Sequence, residues 1–413
     1  MAIFSDFFSL FNNPIFLGIF KYLYYFAPFW VPIVAISVFI GVWMRYVRAD
    51  FILKQGSVLL EIRLPKEVNR SPKGMEIFLT ALYQTGAASE VETYWQGKIR
   101  PWWSLELVSI DGQIHFYIWC HAKWKNLVEA QLYAQYPGIE IYEAEDYTKS
   151  VYHDPVEYPL WATYFTLTEK TVYPIMTYVD YGLDKEQEEE YKIDPMTSVL
   201  EYLGSLKRGE QVWIQILIQA HKKEKFRDGR LFSKEDWKKD IKREVEKIRE
   251  EATTKVPGAQ YPSFPNPTKG QIDKIAALEK AASKFAFECV IRGVYFPTKE
   301  AFSPVSINGL VGSFRQYSSN SLNGFRLGWF TDFDYPWQDF HRVRRNAAER
   351  GMLQAYKMRS IFHAPYKNFH EHPYILNTEE LATIYHFPGT VAQTPSLPRV
   401  TAKKSEAPAN LPV

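Results

Sequence analysis

From Phe26 to Met44 the sequence carries no charged side chain, and Arg45 and Arg48 close the run. About 20 apolar residues are what an α-helix needs to cross the ~30 Å hydrocarbon core of a bilayer. Phe26 to Val47 is therefore expected to be a transmembrane helix. Trp30, Trp43 and Tyr46 lie near its ends, where indole and phenol rings favour the headgroup layer. Pro28 and Pro32 fall in the first turns, where a missing N–H costs least. A cleaved signal peptide needs a shorter apolar core and small residues at its cleavage site. This run is long, starts late and is followed by Arg-Tyr-Val-Arg. Asp6 and Lys21 precede the helix, whereas Arg45, Arg48 and Lys54 follow it. The positive-inside tendency then predicts a single pass with the long C-terminal part in the cytoplasm. Residues 1–25 are aromatic, weakly polar and broken at Asn12-Asn-Pro14. They read as short interfacial helices or, for Ile15 to Tyr25, as an extension of the spanning helix.

The rest of the chain is globular in character. The net charge of the whole sequence is +2, so no global basic field argues for nucleic acid. The two cysteines, Cys120 and Cys289, lie far apart in apolar strand-like runs and are expected to be buried, reduced thiols. An aromatic content of 16% calls for large packed surfaces, within the chain or between subunits.

Residues 57–148 read as a first domain. Val58, Leu60, Ile62 and Leu64 alternate as one face of a strand that Pro65 stops. Ser71-Pro72 reads as a cap for a helix over Met75 to Tyr83. Trp102 to Ile110 and Gln113 to Trp119 are strands joined by Asp111-Gly112, a strong hairpin signal. A helix from Lys125 to Ala134 and a strand from Ile139 to Tyr142 complete the order β-α-β-β-α-β, the ferredoxin-like arrangement. The order recurs over residues 155–331. Strands are expected at Leu160 to Thr168, Glu210 to Gln219, Phe285 to Tyr295 and Gly324 to Thr331. Asp194-Pro195 caps a helix, and Lys299 to Tyr317 is partly helical. The predicted fold class is thus α+β: a transmembrane helix followed by two ferredoxin-like units, the second interrupted by a helical hairpin at about 222–284. In that hairpin Trp237, Ile241, Val245 and Ile248 form one apolar stripe, and Ile272, Ile275, Leu278 and Ala282 a second. Its charge run is a solvated face or a contact arm. Residues 332–387 read as irregular, with helices at Asn346 to Arg359 and Asn377 to Tyr385. Residues 388–413 read as an extended tail.

No phosphate-binding loop, G-x-S-x-G elbow or helical H-E-x-x-H is visible, so neither catalysis nor a cofactor is expected. His370-Glu-His372, next to Pro373, reads as an ordinary loop. Glu379, Glu380 and His386 are accounted for by helix capping and packing. Arg342, Arg344, Arg345 and Arg350, near Trp329, Tyr335 and Trp337, form a basic cluster. It reads as a solvated loop or as a contact for single-stranded nucleic acid. Trp102, Trp103, Phe116 and Trp119 would serve the same ligand only on an open sheet face.

Leu59 to Glu67 with its following helix, Leu132 to Thr148, and Leu376 to Pro388 followed by Ala407-Pro-Ala-Asn-Leu-Pro412 occur in that order. Together they resemble the non-catalytic, membrane-linked region that precedes the motor in prokaryotic ATPases of the type IV secretion and conjugative-transfer class, within the HerA–FtsK superfamily. The resemblance covers most of residues 57–412. In such proteins the tail leads into the ATPase core, whereas this sequence stops at Val413. It therefore implies a membrane-anchored accessory subunit of a DNA translocation system, docking a separate ring-forming motor ATPase and itself self-associating. The implied docking surface is the helix with Glu379, Glu380, Leu381, Tyr385 and His386, together with the tail. The alternative is a membrane-tethered module that binds single-stranded nucleic acid.

Overall fold

The computed structural model describes residues 14–65, 70–86, 88–185, 193–223, 236–253, 266–333, 335–389 and 399–400. The chain divides into two units, Met1–Lys54 with Ala88–Ile99, and Gln55–Ala87 with Arg100–Val413.

In the first unit α1 (Pro14–Tyr25) and α2 (Ala27–Gln55) flank Phe26. The 29 residues of α2 span about 44 Å at 1.5 Å per residue. They outrun the expected 26–47 because Arg45 to Gln55 contain no glycine or proline to break the helix, which ends at Gly56 with its positive φ of 63°. It is long and apolar enough to cross a membrane, and its apolar side chains from Phe29 to Val42 lie exposed. The short helix Glu90–Tyr94, which the sequence reading missed, belongs to the same unit.

The second unit is built on one large sheet. Its first half contains β1 (Ser57–Pro65), α3 (Lys73–Ala81), β2 (Trp102–Ile110), β3 (Gln113–His121), α4 (Lys125–Gln135) and β4 (Glu140–Ala144). The second half contains β5 (Trp161–Leu167), α5 (Pro195–Gly204), β6 (Gln211–Ala220), β7 (Ala286–Tyr295), α8 (Pro304–Gly312) and β8 (Phe325–Phe330). Between β6 and β7 lie α6 (Trp237–Glu251) and α7 (Lys269–Ser283). The C-terminal part adds α9 (Val343–Lys357), β9 (Tyr374–Asn377), α10 (Thr378–Ile384) and β10 (Arg399–Val400). Strand order is β4-β1-β3-β2 in one half and β6-β7-β5-β8 in the other, with every pair antiparallel. β2 and β6 join the halves, from Trp102 opposite Gln219 to Ile110 opposite Gln211.

Two predicted domains thus share one sheet. Residues 332–387 are not a separate region: β9 pairs with Ala286–Cys289 of β7, the part that β5 leaves open, and β10 adds parallel to the end of β1. β9 is only four residues long, too short to announce itself by alternation.

The sheet alternates as expected. Leu60, Leu105, Phe116, Ile216 and Ile291 point into one apolar core under the helices. Each such side chain contributes about 1.5–3 kcal/mol by leaving water. The opposite positions, including Ser104, Glu106, Gln215 and Arg292, are also buried. They form a polar layer covered by α9 and the loop after it. The Asp111-Gly112 turn adopts φ of 54° and 80°, the positive values that a tight hairpin requires. Pro72 rather than Ser71 is the residue before α3; the Ser71 hydroxyl donates to Leu183 O and accepts a long bond, 3.4 Å, from Lys73 N at the start of the helix. The hairpin has its own small core of Trp237, Ile241, Val245, Ile248, Leu278 and Ala281. Of the second stripe, Ile275, Leu278 and Ala282 pack on this core, whereas Ile272, in the first turn, is exposed. Residues 254–265, between the two helices of the hairpin, and most of the tail lie outside the described residues.

Candidate functional site

The expected docking helix is an internal element. Asn377 caps α10: its side chain accepts from Glu379 N and Glu380 N, and Glu380 returns the bond to Asn377 N at 2.8 Å. Glu380 also accepts from Ile175 N at 2.9 Å. Burial outweighs these donors and pushes its carboxyl up to about 8. Leu381 and Tyr385 are fully buried, and the Tyr385 hydroxyl donates to Tyr117 O. His386 is 1% exposed and lies 3.2 Å from Asp194. Burial alone would lower its pKa, but the Asp194 carboxylate and nearby backbone groups raise it; Asp194 is lowered in turn, against its own desolvation. These side chains are spent on internal partners, so α10 offers no docking face.

Glu379 is 4% exposed and reaches a charged cleft of about 260 Å³ lined by Thr177, Asp180, Lys280 and Lys284. It accepts from Lys280 Nζ at 2.6 Å and Thr177 Oγ1 at 2.7 Å. Lys284 pairs with Glu76 at 2.5 Å and lies 3.4 Å from Glu379. Cations and carboxylates alternate here, so the cleft is largely self-neutralised.

The polar layer on the other sheet face holds a second buried group of charges. Arg359 lies between Glu106 and Asp146, with Nε 2.9 Å from Glu106 Oε1 and Nη1 2.5 Å from Asp146. Ser104, Gln215 and Tyr147 also donate to Glu106. Arg292 donates to the carbonyls of Ala355 and Ser360. These bonds clamp the loop after α9 onto the sheet. Trp102, Trp103, Phe116 and Trp119 are all buried. The open aromatic face that the nucleic-acid reading required is therefore absent from these strands.

The four arginines differ in what they touch. Arg345 is taken up by Asp332 at 2.7 Å and Glu349 at 2.8 Å. Arg344 bonds Gln338 O and lies over the Phe333 ring. Arg342 and Arg350 are exposed and make no ion pair among the described residues. Beside them in sequence, Tyr335 and Trp337 stack at 4.6 Å, and Phe340 and Val343 are also exposed. Four large apolar side chains within nine residues, beside two arginines that make no ion pair among the described residues, are an unusual surface for a soluble domain. The sequence reading named the arginines and two of the rings; Phe340 and Val343 carried no signal beyond their proximity.

His370 stacks on Trp329 at 3.7 Å, and Glu371 accepts from Trp329 N, which accounts for the His-Glu-His segment by packing. Cys120 and Cys289 are buried, unpaired thiols; burial pushes Cys120 up to about 12, so its thiol is a poor nucleophile. Among the described residues no cluster has the composition of a metal site. Residues 53–398 match the family model described as a domain of unknown function (DUF8128). No curated protein matches the sequence.

Proposed function

The chain belongs to the DUF8128 family, and we propose that it is a membrane-anchored, non-catalytic accessory subunit of a conjugative or type IV secretion-like DNA translocation system in a prokaryotic membrane. In this reading α2 is a single-pass anchor, the folded part is cytoplasmic, and a HerA–FtsK-type motor ATPase docks on it as a separate polypeptide. The observation that carries the reading is α2: an apolar helix whose large side chains are exposed from Phe29 to Val42, separated by Gly56 alone from the first strand of the sheet. The motor partner rests on the resemblance of residues 59–67, 132–148 and 376–388. Two ferredoxin-like units are supported by the strand order in each half, where the first strand lies between the third and the fourth.

Because α10 is buried, docking is assigned to the exposed surface of Tyr335, Trp337, Phe340 and Val343 with Arg342 and Arg350. Exposed aromatic residues beside arginine are the side chains that most often dominate binding energy at interfaces. A pull-down of the motor by full-length protein and by a Trp337→Ala, Phe340→Ala variant tests this. Retention by the first and loss by the second is expected; equal retention by both sinks the assignment.

A second reading is favoured by the same surface. Stacked Tyr335 and Trp337 beside two arginines that make no ion pair among the described residues suit single-stranded nucleic acid. Filter binding at two salt concentrations distinguishes it. Affinity that falls steeply with salt supports it, and no affinity at low salt removes it.

A further inference from the structure

We infer that the segment Ala88–Ile99 is a second membrane contact, a foot that seats Val91 and Trp95 in the headgroup layer beside α2. This inference rests on the reading of α2 as the membrane-spanning helix.

The segment leaves the sequence between α3 and β2 and belongs with α2. Trp43 donates its indole N–H to Tyr94 O at 2.8 Å, and the rings of Trp43 and Trp95 meet edge to face at 5.8 Å. Gly97 fixes the approach from the other side. Its φ is +66°, and a Cβ there would sit 2.3 Å from Val47 O and 2.7 Å from Arg48 N. The segment is also closed upon itself: Ser89 and Glu92 form a reciprocal capping box, and Lys98 pairs with Glu92 at 2.9 Å. It is thus a pre-formed turn strapped to α2 at Trp43 to Arg48.

Its outward face is apolar. Val91 and Trp95 are four residues apart and share one side of the turn. They are 60% and 69% exposed, although aromatic and aliphatic side chains of this size are normally covered. The level of the strap identifies what covers them. From Ala27 to Tyr46 is about 29 Å along a helix rising 1.5 Å per residue, close to the ~30 Å hydrocarbon thickness. Trp43 and Tyr46 lie 6.2 Å apart at that end. Trp95 therefore joins them as a third amphipathic ring at the depth where such rings collect. The polar side chains Glu92 and Lys98 are compatible with a headgroup layer but not with a hydrocarbon core. Two contacts on one anchor would restrict the tilt and rotation of α2, which a lone helix leaves free.

Spin labels on single cysteines introduced into the full-length protein, reconstituted in vesicles of phosphatidylcholine and phosphatidylglycerol, test the inference. The sites are Val91→Cys, Trp95→Cys, Tyr46→Cys as the interface reference, Ile36→Cys as the mid-span reference and Lys149→Cys as the aqueous reference. The unlabelled parent reports on Cys120 and Cys289. The expected ratio of oxygen to polar-nickel accessibility at positions 91 and 95 matches that at 46 and exceeds that at 149 several-fold. Aqueous values at 91 and 95 with a deep label at 36 would overturn the foot and leave the spanning helix standing. An aqueous value at 36 would overturn both. Adding Gly97→Val should return the label at 95 to water while that at 36 stays deep; an unmoved label at 95 would contradict the strap.

Discussion

Arg359 carries a fixed charge in a place with almost no water. It is 1% exposed, adopts a left-handed φ of 46°, and faces Glu106, which is fully buried. Removing one member of such a pair leaves the other charge unpaired, at a cost of about 3–5 kcal/mol. Arg359→Met is expected to lower stability by that amount in urea denaturation, and Glu106→Gln on the same chain to restore part of it. A loss within error of zero would mean the pair is not formed. His386 and Asp194 are a second buried pair, with a defined pH window. The His386 pKa is raised, so its contribution is complete below the ordinary imidazole value and fades as pH rises through the raised one. That of Asp194 is lowered, so its contribution is present above the ordinary carboxyl value and fades as pH falls through the lowered one. Asp194→Asn retains an acceptor for Met196 N at the start of α5 and removes only the charge. Wild type should exceed this variant most, by about 1.5–3 kcal/mol, between about pH 4 and 6.5, with the gap closing at alkaline pH. A gap independent of pH would contradict the ionised pair. Neither pair was legible in the sequence, because the partners are 253 and 192 residues apart and no local pattern links them.

Elements were read more successfully than their surroundings. The alternation in β1, the Asp111-Gly112 turn and the Asp194-Pro195 start of α5 are local signals, and each element formed where its residues indicated. What alternation does not reveal is whether a polar face meets water or protein. Glu106, Gln215 and Arg292 resemble a solvated sheet face, yet Arg359 donates to Glu106, and the carbonyls of Ala355, Tyr356 and Ser360 accept from Gln215 and Arg292, all from a distant helix end and the loop after it. The same blind spot misplaced α10. A cap was expected at Asn377 or Thr378, and Asn377 serves, but a polar first turn looks the same whether its carboxylates face solvent or Lys280 and Ile175 N. The hairpin α6–α7 offers a test of independence at this scale. Its core is anchored by Trp237, which is 2% exposed and donates its indole N–H to Thr171 O. Trp237→Ala should destabilise it by about 3–5 kcal/mol. Hydrogen exchange should then quicken in Trp237–Glu251 and Lys269–Ser283 and remain unchanged in β2, β6 and β7. Equal quickening throughout would show that hairpin and sheet unfold as one.

At the scale of the whole molecule, one helix is long and apolar enough to cross a membrane, and the broad sheet has buried side chains on both of its faces. The sheet continues through both halves because β2 and β6 pair along their full lengths, an arrangement that neither strand's composition announces. On this view the exposed residues of 335–350, rather than the buried α10, hold the partner. The most direct test is crosslinked affinity purification of the full-length protein from native membranes, with partners identified by mass. The account predicts a ring-forming ATPase among them, lost from the Trp337→Ala, Phe340→Ala variant while that variant remains in the membrane fraction. Recovery of lipid and self-oligomers alone, or of the chain in the soluble fraction, would contradict it.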